Sequence, residues 1–175
     1  MVGTVRVLGQ IAWWRARGRP FDRLEPAQDE RDCLSRRQCG PPVLLYRALQ
    51  SRLPQPRALA VVHEAIAVGG LPFLERMIPP LDPARLAAQA GALTQRFFNA
   101  EGTVERGADG SVTFDVRRCR FVELLRAVEA TELTPAFCAV DSRFFDQRRG
   151  VQMTRRLTLA GGDDRCDFRF EPGDG

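Results

Sequence analysis

The spacing of apolar residues changes period near residue 100, so an all-helical or an all-strand architecture cannot serve the whole chain. Before that point apolar positions recur every three or four residues. "PVLLYRALQSRL" opens at Pro42 with helical spacing and is stopped by Pro54 and Pro56. "RALAVVHEAIAVGGLPFLERMI" predicts a second helix, interrupted at Gly69-Gly70, restarted at Pro72 and closed by Pro79-Pro80. Asp82 and Pro83 supply the cap and first-turn residue of a third helix, running to about Asn99. Beyond it the residues alternate. In "TVERGADGSVTFDVRRCRF", Val112, Phe114 and Val116 share one face while Thr113 and Asp115 take the other, around a hairpin turn at Ala108-Asp109-Gly110. The alternation slips at Arg117-Arg118, which predicts a bulge or a strand end. Phe121, Leu124, Leu125 and Val128 then mark a short amphipathic helix.

Thr134-Pro135 opens another helix, "AFCAVDSRFFDQ", with Phe137, Val140 and Phe144 on one stripe and Cys138 and Asp141 as neighbours on the next. A last hairpin is predicted from the alternation of Val151, Met153, Leu157 and Leu159, a turn at Gly161 to Asp164, and the return of Cys166, Phe168 and Phe170. With Ala160 opposite Arg165, Leu159 faces Cys166 and Leu157 faces Phe168. Cys166 then points to the apolar face, and Asp167 points away with Thr158, Arg165 and Arg169. The expected fold is α+β, a helical N-terminal half packed on an antiparallel sheet formed mainly by the C-terminal half. Residues 1–40, rich in Arg and Pro, read as an extended or mobile lead-in, and residues 41–175 as a single domain.

Composition narrows the function classes. The 175 residues are 44% hydrophobic and 27% charged, as in an ordinary soluble globule with a core. No apolar run suggests a membrane span, and the patch around Trp13-Trp14 lacks the core and cleavage site of a signal peptide. A cytoplasmic, bacterial protein is expected, with no membrane partner. The net charge of +4 is carried by arginine alone. With no lysine, a Schiff base and a Walker-type phosphate loop are excluded. The arginines are dispersed among nearly as many acids, with no nucleic-acid-binding motif, so no nucleic-acid partner is expected. Five cysteines in a chain without an export signal argue for reduced thiols. Cys33 and Cys39 are spaced too widely for a zinc knuckle, and the lone His63 completes no ligand set, so neither metal nor cofactor is expected.

Each chemically interesting residue has a plain alternative. Cys119, Cys138 and Cys166 lie in or beside apolar faces, where free cysteine often serves as a small hydrophobe. Cys138 stands out because it lies one turn into a helix, with Asp141 one turn further on. A helix N-terminus lowers a thiol pKa, and a buried carboxyl beside a thiol suits acid–base work. The alternative for Asp141 is an exposed residue paired with Arg143. Asp167 is either one half of a surface ion pair or the group that orients Arg169 or Arg156 toward a substrate carboxylate. Asp163-Asp164 reads as turn chemistry.

The stretches "RRCRFVELLRAVEATELTPAFCAVDSRFF" and "TRRLTLAGGDDRCDFRF" resemble the C-terminal half of the L-2-amino-thiazoline-4-carboxylate hydrolase family. The likeness runs through Arg118-Cys119, Cys138 with Asp141, and Thr158-Leu159-Ala160 leading to Cys166-Asp167-Phe168-Arg169-Phe170. It covers roughly residues 43 to 171. The resemblance implies hydrolytic opening of a thiazoline ring bearing a carboxylate, by a thiolate or an activated water attacking the C=N carbon. It implies Cys138, Asp141, Cys166 and Asp167 as catalytic, and Arg169, Arg118 and Cys119 as substrate-binding. The expected partner is a small carboxylate-bearing molecule, and a homo-oligomer is compatible with the sequence. The alternative is a non-catalytic domain that uses the same pocket only to hold a ligand for a biosynthetic pathway.

Overall fold

The computed structural model describes residues 2–17, 19–147 and 150–173. Among these residues, six α-helices and a four-stranded antiparallel sheet make an α+β fold, with most of the helices in the N-terminal half. Helix α1 spans Val2–Ala16 and packs on α2, Glu30–Gln50. That second helix starts twelve residues before the expected Pro42, inside the segment expected to be extended. The reason is a strong start signal at Asp29, whose carboxylate accepts from the Asp32 amide at 2.6 Å. Glu30 and Asp32 add charge that favours the helix dipole. Pro41 and Pro42 ride inside the helix.

Helix α3, Gln55–Met77, runs unbroken through Gly69, Gly70 and Pro72, where an interruption was expected. Gly70 is where α3 touches α6, Thr134–Asp146. A Cβ there would lie 2.8 Å from Cγ1 of Val140. The packing it permits offsets the roughly 1 kcal/mol that a helical glycine costs. Pro72 withholds a donor from the carbonyl of Val68, a residue 66% exposed, so the missing bond falls on the solvent side of the helix. An 18-residue window of α3 has a mean hydropathy of 1.4, enough by length and composition to cross a membrane. A helix packed between α2 and α6 passes the same test.

Asp82 caps as expected, accepting from the Ala84 amide at 3.0 Å. It opens a 3-10 turn at Pro83–Arg85 that leads into α4, Leu86–Gln95. The helix ends short of Asn99 because Phe97–Asn99 turn into β1, Ala100–Arg106. Strand β2, Val112–Cys119, pairs antiparallel with β1. The expected slip is a bulge. Glu101 pairs with Arg118 and Gly102 with Val116, which leaves Arg117 without an opposite residue on β1. Helix α5, Arg120–Ala127, follows directly.

The last hairpin differs most from expectation. Strand β3, Val151–Thr154, stops at Thr154, which pairs with Arg169 of β4, Cys166–Pro172. Leu157 and Leu159 are therefore not strand residues. Side-chain acceptors hold the 156–163 segment in place of a ladder. Asp167 accepts from the amides of Arg156 (2.9 Å) and Leu157 (2.6 Å), and Asp163 accepts from that of Thr158 (2.7 Å). The sheet order β1-β2-β4-β3 makes β4 an interior strand, with Phe168 opposite Phe114 and Cys166 opposite Val116 on β2. One sheet face is covered by α6, where Phe145 meets Phe170 at 5.1 Å.

Candidate active site

Between this sheet face and the helices lies a cavity of about 310 Å³, at the small end of the roughly 300–1,000 Å³ typical of ligand sites. Of the chain's eleven phenylalanines, eight line it. The exposed members of the lining are Arg37 and Pro41 on α2 and Ala65 and Gly69 on α3, which places the mouth between these helices. Pro41 and Pro42 carry no N–H to offer the carbonyls of Arg37 and Gln38, four residues earlier.

Three thiols reach this one cavity from three elements: Cys119 at the end of β2, Cys138 on α6 and Cys166 at the start of β4. Asp141 joins them from the next turn of α6. Each thiol is a neutral group here. Burial pushes Cys138 up to about 12, against the pull of Arg155. Burial also raises Cys119, although it sits at the N-cap of α5 and the amides of Val122 and Phe121 favour its thiolate. Cys166 is raised for the same reason, while its sulfur accepts from the Leu159 amide at 3.3 Å. The expectation of a depressed Cys138 pKa fails because Cys138 is the fifth residue of its helix, beyond the free amides of the first turn.

Arg155 is the group the sequence reading missed. Its side chain is only 8% exposed. It donates through Nη2 to the Cys138 carbonyl at 3.0 Å and lies 4.8 Å over the Phe168 ring. Its Nη1 stands 3.5 Å from Oδ2 of Asp141, longer than the about 2.7–2.9 Å of a tight charge-assisted bond. This loose pair does not offset the loss of water around the carboxyl. Burial wins, and the Asp141 pKa rises to about 6. The side chain's remaining 25% exposure opens into the cavity. Asn99, also missed, approaches the Cys119 sulfur with Nδ2 at 3.7 Å.

The other expected site residues lie elsewhere. Alternation along β4 turns Cys166, Phe168 and Phe170 inward and Asp167 and Arg169 outward. Asp167 spends its carboxylate on the 156–157 backbone. Burial would raise it, but the amides of Leu157 and Arg156 hold it below its usual value. Arg169 pairs on the outer face with Asp109 (3.2 Å) and Glu171 (3.1 Å). Arg118, past the Arg117 bulge, forms a fork to Glu123 at 2.7 and 3.0 Å and reaches Glu101 at 3.3 Å. None of these three lines the cavity. Among the described residues, no group of three or more His, Cys, Asp or Glu side chains is placed to hold a metal ion.

Fold and site together define an α+β domain enclosing an aromatic cavity, with a carboxyl–guanidinium pair and three neutral thiols on its wall. The model of the L-2-amino-thiazoline-4-carboxylic acid hydrolase family matches residues 34–170, and the chain belongs to that family. The match spans α2 through β4 and so includes every element that lines the cavity. No curated protein matches the chain. Among solved structures, an H-NOX domain from Shewanella oneidensis, studied by NMR in its Fe(II)CO ligation state, is similar at a TM-score of 0.37 and 8% identity. The likeness covers 97% of this chain and 98% of that one. A likeness at that level carries no argument about fold or ligand.

Proposed function

We propose that this chain is a hydrolase that opens a carboxylate-bearing thiazoline by activating water, with Asp141 as the proton carrier. The observation that carries the reading is the Asp141–Arg155 pair, set on the wall of a cavity shared with three thiols that are not thiolates. A neutral buried thiol is a poor nucleophile, so water is the attacking group. A carboxyl whose pKa lies near 6 exchanges protons readily near neutrality.

In this scheme water adds to the carbon between nitrogen and sulfur, its oxygen bonding that carbon while Asp141 takes a proton and passes it to the ring nitrogen. The tetrahedral adduct then collapses. Its hydroxyl becomes a carbonyl, the carbon–sulfur bond breaks, and Asp141 moves the hydroxyl proton to the departing sulfur. For the amino-thiazoline the product is an N-carbamoyl cysteine, and Asp141 ends as it began. Arg155 keeps further donors for the substrate carboxylate, the role expected of Arg169, because its buried guanidinium stands beside Asp141 on the cavity wall, which Arg169 does not reach. The five free thiols fit a reducing, cytoplasmic setting.

The test follows release of free thiol from 2-amino-thiazoline-4-carboxylate. Asp141→Asn should lower kcat by about 10²–10⁴, and Cys138→Ser should retain most of the activity. Full activity in Asp141→Asn, or complete loss in a folded Cys138→Ser, would overturn the assignment.

A further inference from the structure

The cavity is more aromatic, and roomier, than a bare amino-thiazoline carboxylate asks for. Of its charged groups, Arg37 of α2 stands at the mouth, and Asp141 and Arg155 lie together, with Asp141 on α6. From there a row of rings leads away. Phe137 meets Phe121 at 5.0 Å, Phe121 meets Phe98 at 6.1 Å, and Phe98 meets Phe73 of α3 edge-on at 6.1 Å. The volume of about 310 Å³ is about twice the roughly 150 Å³ of an apolar cavity that takes up one benzene. A small polar ring anchored at Asp141 and Arg155 would leave the distant phenyl faces wet. Covering apolar surface stabilises a complex by about 25 cal/mol per Å², and rings held edge-on suit a flat aromatic guest.

Resting on the hydrolase reading, we propose that the substrate is a thiazoline-4-carboxylate with an aryl group on carbon 2, in place of the amine. The carboxylate faces Arg155, the reacting carbon faces Asp141, and the aryl group runs along Phe121 and Phe98. The step balances with water alone. Water's oxygen bonds carbon 2 and one proton goes to the ring nitrogen. The carbon–sulfur bond breaks, the second proton goes to sulfur, and the product is an N-aroyl cysteine with a free thiol. Nothing is oxidised or reduced.

The experiment compares 2-phenyl- and 2-amino-thiazoline-4-carboxylate on the wild-type protein, with calorimetry for binding and thiol release for turnover. The phenyl compound should bind at least tenfold tighter and have at least tenfold higher kcat/KM. Phe98→Leu, which keeps an apolar side chain, should shrink that preference severalfold. Equal or better binding and turnover of the amino compound overturns this inference and leaves the hydrolase reading standing. Tight binding of the phenyl compound with no thiol released from either upholds the aryl ligand class and removes the hydrolase reading. Failure of both compounds to bind overturns both.

Discussion

Replacing Asp141 by asparagine isolates what burial of this carboxyl does to the fold. Its pKa rises from the ordinary 3.8 to about 6 in the folded chain. At 1.36 kcal/mol for each tenfold change in proton affinity, that rise corresponds to about 3 kcal/mol. Below the unfolded value both states hold the proton, so the group contributes nothing. Between 3.8 and about 6 the native state binds a proton that the unfolded chain has released, so stability falls as pH rises. Above about 6 the whole of that loss is present. Asparagine keeps the volume and does not titrate. The other carboxylates act on both proteins alike and cancel in the difference. Urea unfolding of the two proteins from about pH 4 to about pH 7.5 should therefore show the variant gaining about 2.4 kcal/mol on the wild type across the interval, the rest of the change lying below about pH 4. Any constant cost of leaving Arg155 without its anion offsets the curve without bending it. A difference flat to within about 0.5 kcal/mol would mean that Asp141 titrates as an exposed residue. The acid–base role built on it would then fall too.

The thiols and the glycine pair give two further tests. With a pKa of about 12, Cys138 is a thiolate in about one molecule in 10⁵ at pH 7. Mass-spectrometric mapping of iodoacetamide labelling should find the exposed Cys33 modified first, with Cys119, Cys138 and Cys166 protected until unfolding. Faster labelling of Cys138 than of Cys33 in native protein would restore a thiol mechanism. Gly70→Ala sets a methyl 2.8 Å from Val140 and should lower stability by about 1 kcal/mol once the gain in helix propensity is subtracted. Gly69→Ala meets nothing within 4 Å and should raise stability by up to about 1 kcal/mol. Unfolding midpoints that move in the same direction would refute the close approach of α3 and α6.

Local signals carried most of the fold. The change of period near residue 100, the cap at Asp82 and the slip at Arg117 each depend on a few consecutive residues. The Cys138–Asp141 pair was legible for the same reason, since both lie on one helix. Three features needed tertiary information. The early start of α2 was outweighed in the sequence by Pro41-Pro42, although Asp29, Glu30 and Asp32 form a start signal upstream of them. The continuity of α3 depends on Val140, seventy residues away, accepting the bare backbone of Gly70. Arg155 did leave a trace. It occupies the inward parity between Met153 and Leu157, and an arginine on the apolar side of a strand pattern asks for a buried partner. Asn99 left no comparable trace. The end of β3 was hidden because Asp163 and Asp167 capture backbone amides that an alternating pattern assigns to a neighbouring strand.

The adjacent Cys166 and Asp167 work on opposite sides of one sheet. The first presents its sulfur to the cavity. The second, on the outer side, grips the amides of residues 156 and 157 and so fixes the chain one bond beyond Arg155. The inward reach of the guanidinium is thus set by a carboxylate on the other side of β4. A substitution of Asp167 therefore releases the backbone next to Arg155 while leaving every atom of the cavity wall chemically unchanged.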